Sequence, residues 1–283
     1  MVTAMRGDRA TRALRGTRFA DVRWVDETGS TNRDLLELAA AGAPEGVVLV
    51  ADHQTAGRGR LDRTWQAPSG GSLLVSVLLR PPLPVSDAHL LTTAVGVSAV
   101  AACREVTGVD PGLKWPNDLV LPGADDRSRT GADRKLGGIL AESVIEGGTL
   151  SAVVVGLGLN VNWSPDLPED LAAIAVALNQ VVGHEVDRED LLVALLQGLD
   201  RRYREILDDF EVADSALDGR RALMAEARTL SATLSRRVRA DLGVEQVEGM
   251  AVALTDEGAL VVETDRGDRR TVIAGDVVHL RPV

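Results

Sequence analysis

From Gln54 to Trp65 the chain reads Gln-Thr-Ala-Gly-Arg-Gly-Arg-Leu-Asp-Arg-Thr-Trp, with three arginines and two glycines between Gly57 and Arg63. The whole chain carries a formal net charge of −11, so this is a local reversal of sign. Guanidinium groups present forked donors that match carboxylate and phosphate oxygens. Glycines at alternate positions permit positive φ and close backbone approach. The chemistry this suggests is capture of a small anion. No Gly-Lys-Ser/Thr follows, so the loop is not a nucleoside-triphosphate P-loop. Taken alone it reads equally as an anion grip or as a solvated surface loop.

Four other segments share the same character, with polar or charged residues beside glycine or proline, or at the end of an expected strand. They are Ser30-Thr31-Asn32, Lys114-Trp115-Pro116-Asn117-Asp118, Lys135-Leu136-Gly137-Gly138-Ile139-Leu140, and Gly156-Leu157-Gly158-Leu159-Asn160-Val161-Asn162. Rigid scaffolds usually carry binding groups at such places. Hydroxyl and amide side chains supply both donors and acceptors. Ser30 and Thr31 also suit the start of a helix, and a cap can face a ligand as well. Pro116 fixes a turn, and Asn117 with Asp118 suits a cap on the element that follows. Gly156-Leu157-Gly158 lacks the third glycine of a dinucleotide fingerprint, and Trp163-Ser164-Pro165 follows it instead of a helix. The four histidines show no metal-binding spacing, and Cys103 sits in an apolar helical pattern as a buried hydrophobe.

The elements that must position these residues follow from the hydrophobic pattern. A helix begins at Ser30-Thr31-Asn32 and stops at Gly42. Val47–Val50 and Leu73–Leu79 read as strands, and the arginine loop leaves the end of the first. Residues 87–107 read as a long apolar-faced helix, residues 123–134 as a polar hairpin loop, and Leu136–Ile145 and Leu150–Val161 as strands joined at Gly147-Gly148. Leu171–Leu178 and Asp187–Leu207 read as helices, the second capped by Asp187. From about residue 232, short alternating strands are divided by Asp256-Glu257-Gly258 and Asp265-Arg266-Gly267, which are hairpin turn signals. The expected organisation is a tail over residues 1–20, a large α+β domain over 21–231 and a small β-barrel over 232–283.

The composition bounds the function. A chain of 283 residues with 45% hydrophobic content buries a substantial core, built on aliphatic residues because only seven aromatics are present. The acidic balance argues against general affinity for nucleic acid, which needs clustered basic residues. One cysteine excludes an internal disulfide and fits a reducing, cytoplasmic setting. The longest apolar run, Leu90–Ala102, is short of the roughly 20 residues a bilayer span needs, so no membrane partner is expected. Five arginines precede residue 20 with only Asp8 against them, and this stretch is expected to be a loose tail.

The five segments, in their order, resemble biotin protein ligase from about residue 25 to the C-terminus. That resemblance implies a mixed-sheet biotin/lipoate ligase-like catalytic domain followed by an SH3-like C-terminal barrel. It implies an ATP-dependent enzyme that makes biotinyl-5′-AMP and transfers biotin to a lysine of a biotin carboxyl carrier domain, with Mg²⁺ as cofactor. It places Ser30, Thr31, Asn32 and Gln54 around the biotin ring. Gly57, Arg58, Gly59, Arg60, Lys135 and Gly138 fall along the biotin carboxylate, with Arg58, Arg60 and Lys135 as the catalytic cations. Trp65, Lys114, Asn117, Asp118 and Asn160 fall on the nucleotide side, where Arg58, Arg60 and Lys135 also meet the adenylate phosphate, with Asp118 as the metal ligand. The family more often has alanine where Gly137 stands. A lipoate or octanoyl transferase shares the fold, but its octanoyl type needs a cysteine nucleophile, and Cys103 is poorly placed for that. A non-catalytic biotin sensor would have damaged phosphate contacts. The segment before residue 25 is too short for three packed helices, so the monofunctional class without specific DNA binding is expected.

Overall fold

The structure is a computed structural model and describes residues 7–121, 133–147, 149–166, 168–211, 218–242, 245–273 and 275–279. Most of the polar loop expected over 123–134 lies outside the described residues. In chain order the elements begin with α1 (Asp8–Ala13), β1 (Asp21–Thr28), α2 (Thr31–Ala40), β2 (Val47–Gln54) and β3 (Ser72–Leu79). Then come α3 (His89–Thr107), β4 (Gly112–Lys114), β5 (Asp118–Leu121), β6 (Arg134–Glu146) and β7 (Thr149–Asn160). Four helices follow, α4 (Glu169–Ile174), α5 (Leu178–Val182), α6 (Arg188–Glu211) and α7 (Asp218–Thr229). The last strands are β8 (Arg237–Asp241), β9 (Gln246–Leu254), β10 (Leu260–Glu263), β11 (Arg269–Val272) and β12 (Asp276–His279).

Seven strands form one mixed sheet in the order β1-β2-β3-β7-β6-β5-β4, parallel only at β1–β2. Strand alternation divides its two faces. Val48, Val50, Val75, Val77, Val155 and Leu157 turn to the face packed by α3, α6 and α7, the main core. Val47, Leu49, Leu78, Ala152 and Val154 turn the other way and meet Leu35 and Ala39 of α2. The second face is only partly covered by α2, and it carries the polar segments. The apolar helix α3 is the buried centre of the main core, where burial also pushes the Cys103 thiol up to about 12.

One irregularity matters for the site. Asp118 and Leu119 pair with Gly138 and Gly137, but Val120 pairs with Lys135, which leaves Leu136 as an extra residue in β6. Such a bulge re-aims the side chains on either side of it. Leu136 and Ile139 both enter the core, while Lys135 and Gly138 come to the same polar face.

The second sheet has the order β11-β10-β9-β8-β12, all antiparallel, and forms the small SH3-like barrel around Val238, Ala240, Ala251, Leu260 and Val262. Its two turns fall where the glycine signals place them, with Gly258 and Gly267 at positive φ. Specific bonds tie it to the large unit. Trp115, whose peptide bond to Pro116 is cis, donates its indole N–H to the Gly258 carbonyl at 2.9 Å. Asp133 Oδ2 accepts from Arg236 at 2.8 Å and lies 2.7 Å from His279 Nδ1.

Several expectations are corrected. The N-terminal stretch is not a loose tail where it is described. Helix α1 docks on α6 through buried Ala10 and Leu14, Phe19 is also buried, and the Ala10 N–H donates to Glu189 at 2.8 Å. The helix expected over Leu171–Leu178 is broken into α4 and α5, because Ala175 bridges to Lys135 and the Val176 N–H donates to the Lys135 carbonyl at 3.0 Å. Strand β1 and helix α7 went unforeseen, since charges interrupt their apolar patterns. Asp187 does cap α6, accepting from the Glu189 and Asp190 N–H groups at 2.7 and 3.2 Å.

Phe19→Ala is expected to cost about 3 kcal/mol, the range for truncating a buried phenylalanine, and equilibrium urea unfolding measures it. A second expectation concerns acid. Burial pushes the Asp133 carboxyl up, but His279 and Arg236 together outweigh it and hold it below the ordinary carboxylate value. A depressed folded pKa makes this contribution complete above the unfolded value of about 4 and lost as pH falls through the folded one. Thermal melts should therefore separate wild type from Asp133→Asn at neutral pH and converge in strong acid.

Candidate active site

The polar face of the large sheet holds a cavity of about 150 Å³ that collects most of the singled-out residues. Its closed end is a hydrogen-bond network. The Thr31 backbone N–H and hydroxyl lie 2.8 and 3.0 Å from Gln54 Oε1. Ser76 donates to Asn32 Oδ1 at 2.6 Å and sits 2.7 Å from Thr31 Oγ1. Asn32 Nδ2 donates to the Leu140 carbonyl at 3.1 Å and to Glu142 Oε2 at 2.9 Å. Ser30 precedes α2 and is buried, but its side chain makes no capping bond. The expected helix cap is thus absent, and the hydroxyl lines the cavity instead.

Three cations stand over the other end. The arginine loop is a short hairpin in which Arg58 bridges Thr64, and the Gly59 N–H donates to the Arg63 carbonyl at 2.7 Å. Its tip, Leu61-Asp62, has φ of 54° and 57°, an uncommon conformation for residues other than glycine. Arg58 Nη1 lies 2.7 Å from Glu142 Oε1, Lys135 Nζ lies 2.7 Å from Asp118 Oδ1, and Arg60 Nη1 donates to Asn117 Oδ1 at 3.2 Å. Each cation is balanced by an acid or an amide of the protein itself. Trp65 lies beneath Lys135, whose ammonium is 5.3 Å from the ring centre. The indole presses on the sheet where there is no side chain, since a Cβ on Gly158 would lie 2.6 Å from Trp65 Cε2. Its N–H is buried without an acceptor among the described residues.

A second cavity of about 280 Å³ opens between the large sheet and the barrel. Arg60, Asn117 and Asp118 line both cavities. Arg60 also spans the two units, with Nη2 3.4 Å from the Gly275 carbonyl.

Fifteen residues were singled out, and the first cavity gathers Ser30, Thr31, Asn32, Gln54, Arg58, Gly59, Arg60, Trp65, Asn117, Asp118, Lys135 and Gly138. Lys114 faces the second cavity alone. Gly57 lines neither cavity. It is a close-approach position, its carbonyl accepting from the Trp65 N–H at 2.9 Å. Asn160 is also away from both, buried and donating to the Lys135 and Val176 carbonyls at 3.3 and 3.1 Å, while its Oδ1 has no partner. Residue-level reading missed Ser76 and Glu142, and assigned no role to Gly156 and Gly158 within the segment it singled out. The signals were there: Ser76 interrupts an apolar strand, Glu142 follows Gly138 and Leu140 at period two, and Gly156 leaves room for the Asn32 amide, which any Cβ would overlap. Among the described residues no group of three His, Cys, Asp or Glu side chains is placed to hold a metal.

Comparison with known proteins agrees with this geometry. Residues 24–160 match the biotin/lipoate A/B protein ligase family, and residues 233–280 match the biotin protein ligase C-terminal domain. A biotin–[acetyl-CoA-carboxylase] ligase of Mycobacterium tuberculosis is 38% identical over 94% of this chain and 91% of its own length. The bifunctional ligase/repressor of Bacillus subtilis is 34% identical over 87% of this chain and 70% of its own. In structure, the biotin protein ligase of Aquifex aeolicus in complex with biotin and ATP superposes with a TM-score of 0.74 at 26% identity, covering 93% of this chain and all of that one. The chain belongs to the biotin protein ligase family.

Gly158→Ala tests the packing of Trp65 on the sheet. The added methyl should displace the indole, raising its solvent exposure, with a red-shifted tryptophan emission and easier acrylamide quenching, while the melting temperature changes little.

Proposed function

We propose that this protein is an ATP-dependent biotin–[biotin carboxyl-carrier protein] ligase, acting through biotinyl-5′-AMP. The single observation that carries the reading is one cavity with a hydroxyl–amide network at its closed end and Arg58, Arg60 and Lys135 at its open end. A ureido ring needs donors and acceptors together, and a carboxylate that must meet a triphosphate needs cations around both.

In the first step the biotin carboxylate oxygen attacks the α-phosphorus of ATP, and the bond to pyrophosphate breaks. Arg58 and Lys135 exchange their internal partners, Glu142 and Asp118, for the two substrate anions and stabilise the charge that builds at phosphorus. Arg60, shared by both cavities, sits on the path from carboxylate to phosphates, and Lys114 faces the second cavity, where the leaving pyrophosphate would meet it. In the second step the carrier lysine amine attacks the acyl carbon, and AMP leaves with the former carboxylate oxygen. The mixed anhydride must be kept from water between the steps, and Trp65 with the arginine hairpin forms the cover. The buried Trp65 N–H would find its acceptor on the adenylate.

One carboxylate and one amide, Asp118 and Asn117, stand at the junction of the cavities. This donor set fits Mg²⁺ that arrives on the nucleotide phosphates, a mode needing only one or two protein carboxylates. Such an ion supplies charge neutralisation at the phosphates. Asn160 belongs to the nucleotide side through its unpartnered Oδ1, and Gly57 acts by holding the hairpin against Gln54 and Trp65. The partner is a biotin carboxyl carrier domain in a reducing cytoplasm. The acidic surface disfavours specific DNA binding and makes a biotin-responsive repressor the weaker reading. The octanoyl-transferase reading fails on its nucleophile, because Cys103 is buried in the main core with its thiol pushed up to about 12.

Biotin-dependent exchange of pyrophosphate into ATP tests the assignment, with lipoate and octanoate as competing acids. Exchange with biotin alone is expected, and exchange with lipoate in its place would overturn it. Arg58→Ala should lower the exchange rate by about 10²-fold, the range for removing one group that stabilises transition-state charge, while the fold is retained by circular dichroism.

A further inference from the structure

We infer that Glu142 is a positioning residue that makes Arg58 more available when a ring occupies the closed end of the cavity, and so biases specificity against simple alkanoic acids. The inference rests on the reading of the cavity as a biotin site. Glu142 is the only carboxylate among the described residues whose two oxygens join the two ends of that cavity. Oε2 accepts from Asn32 Nδ2 at 2.9 Å, and Oε1 holds Arg58 Nη1 at 2.7 Å.

The orientation of the Asn32 amide is not arbitrary. Its Oδ1 faces the Ser76 hydroxyl and its Nδ2 faces Leu140 and Glu142, so all of its groups are committed within the protein. A ureido ring brings N–H donors and a carbonyl into this network. Asn32, and through it Glu142, must then take new partners, and the hold on Arg58 loosens. An alkanoate brings only C–H groups to the same place. It leaves Asn32 and Glu142 as they are, and its carboxylate must compete with Glu142 for Arg58. Lys135 is held instead by Asp118, which among the described residues makes no bond to Thr31, Asn32, Gln54 or Ser76 at the closed end.

The pair is about half exposed on the Arg58 side and one-fifth exposed on the Glu142 side, so solvent limits its strength. The coupling is therefore expected to be modest, about two- to fivefold, the range for exposed or half-exposed ion pairs. It should also weaken with salt, which a purely structural role would not.

The test compares adenylation of octanoate and of biotin by full-length wild type and Glu142→Gln. The octanoate-to-biotin ratio of kcat/KM is expected to rise about two- to fivefold in the variant at low ionic strength, and the gain should vanish at high ionic strength. An unchanged ratio, or an equal loss for both acids, in a variant that melts like wild type would overturn the inference. A measurement on the unmutated protein does not depend on how the variant folds. Biotinol, which carries the ring without a carboxylate, should shift the Arg58 guanidinium resonance away from its ion-paired position, and octanoate should not. A resonance that stays in place with biotinol bound would refute the coupling. If wild type fails to adenylate biotin at all, the functional assignment falls, which is a separate result.

Discussion

Like charges resist being gathered, and the site gathers three cations on one sheet face. Arg58, Arg60 and Lys135 coexist because Glu142, Asn117 and Asp118 each hold one of them. Without those partners the hairpin would swing into solvent, where an arginine is well hydrated and holds no fixed place. With them, the cations stay aimed at a shared volume, and the proposed reaction needs each internal partner to be weak enough to be exchanged for a substrate anion. Partial exposure of both pairs keeps that exchange inexpensive.

The sheet supplies the rest of the geometry. Alternation places every second residue of β3, β6 and β7 on the polar face, and Ser76, Gly138, Glu142, Gly156 and Gly158 fall there. Glycine at 156 and 158 removes side chains where the Asn32 amide and the Trp65 indole must lie. The bulge at Leu136 then brings Lys135 onto the face that simple alternation would deny it. Bonds between the units complete the arrangement. Trp115 anchors the loop carrying Asn117 and Asp118 to the barrel, and Arg60 reaches across to Gly275. The barrel is thus one wall of the second cavity, and movement at this junction would be felt at Arg60, Asn117 and Asp118.

Much of this was readable before any coordinates. The local reversal of charge was visible from Gly57 to Arg63, the barrel in its two Asp-x-Gly turns, and α3 and the β6–β7 hairpin in periodicity. The order of five local motifs carried the family resemblance. Errors came where long-range contacts overrule local pattern. Arg9 and Arg12 make α1 look like a polar tail, yet Ala10 and Leu14 share its other face and are buried against α6. The run Leu171–Leu178 has a helical pattern, but Ala175 and Val176 find strand partners at Lys135 and break it.

The sequence by itself determined which chemistry the chain can do, because donor, acceptor and charge are properties of side chains and their spacing is local. Only the tertiary structure decided which of those groups meet. Glu142 lies 84 residues from Arg58 and 110 from Asn32, and Ser76 lies 44 from Asn32. No local spacing encodes such contacts. They exist because β3, β6 and β7 are neighbours in one sheet with α2 laid across its polar face, and that pairing is settled by burial of the opposite, apolar face. It is the core, remote from the chemistry, that brings the acid to the arginine.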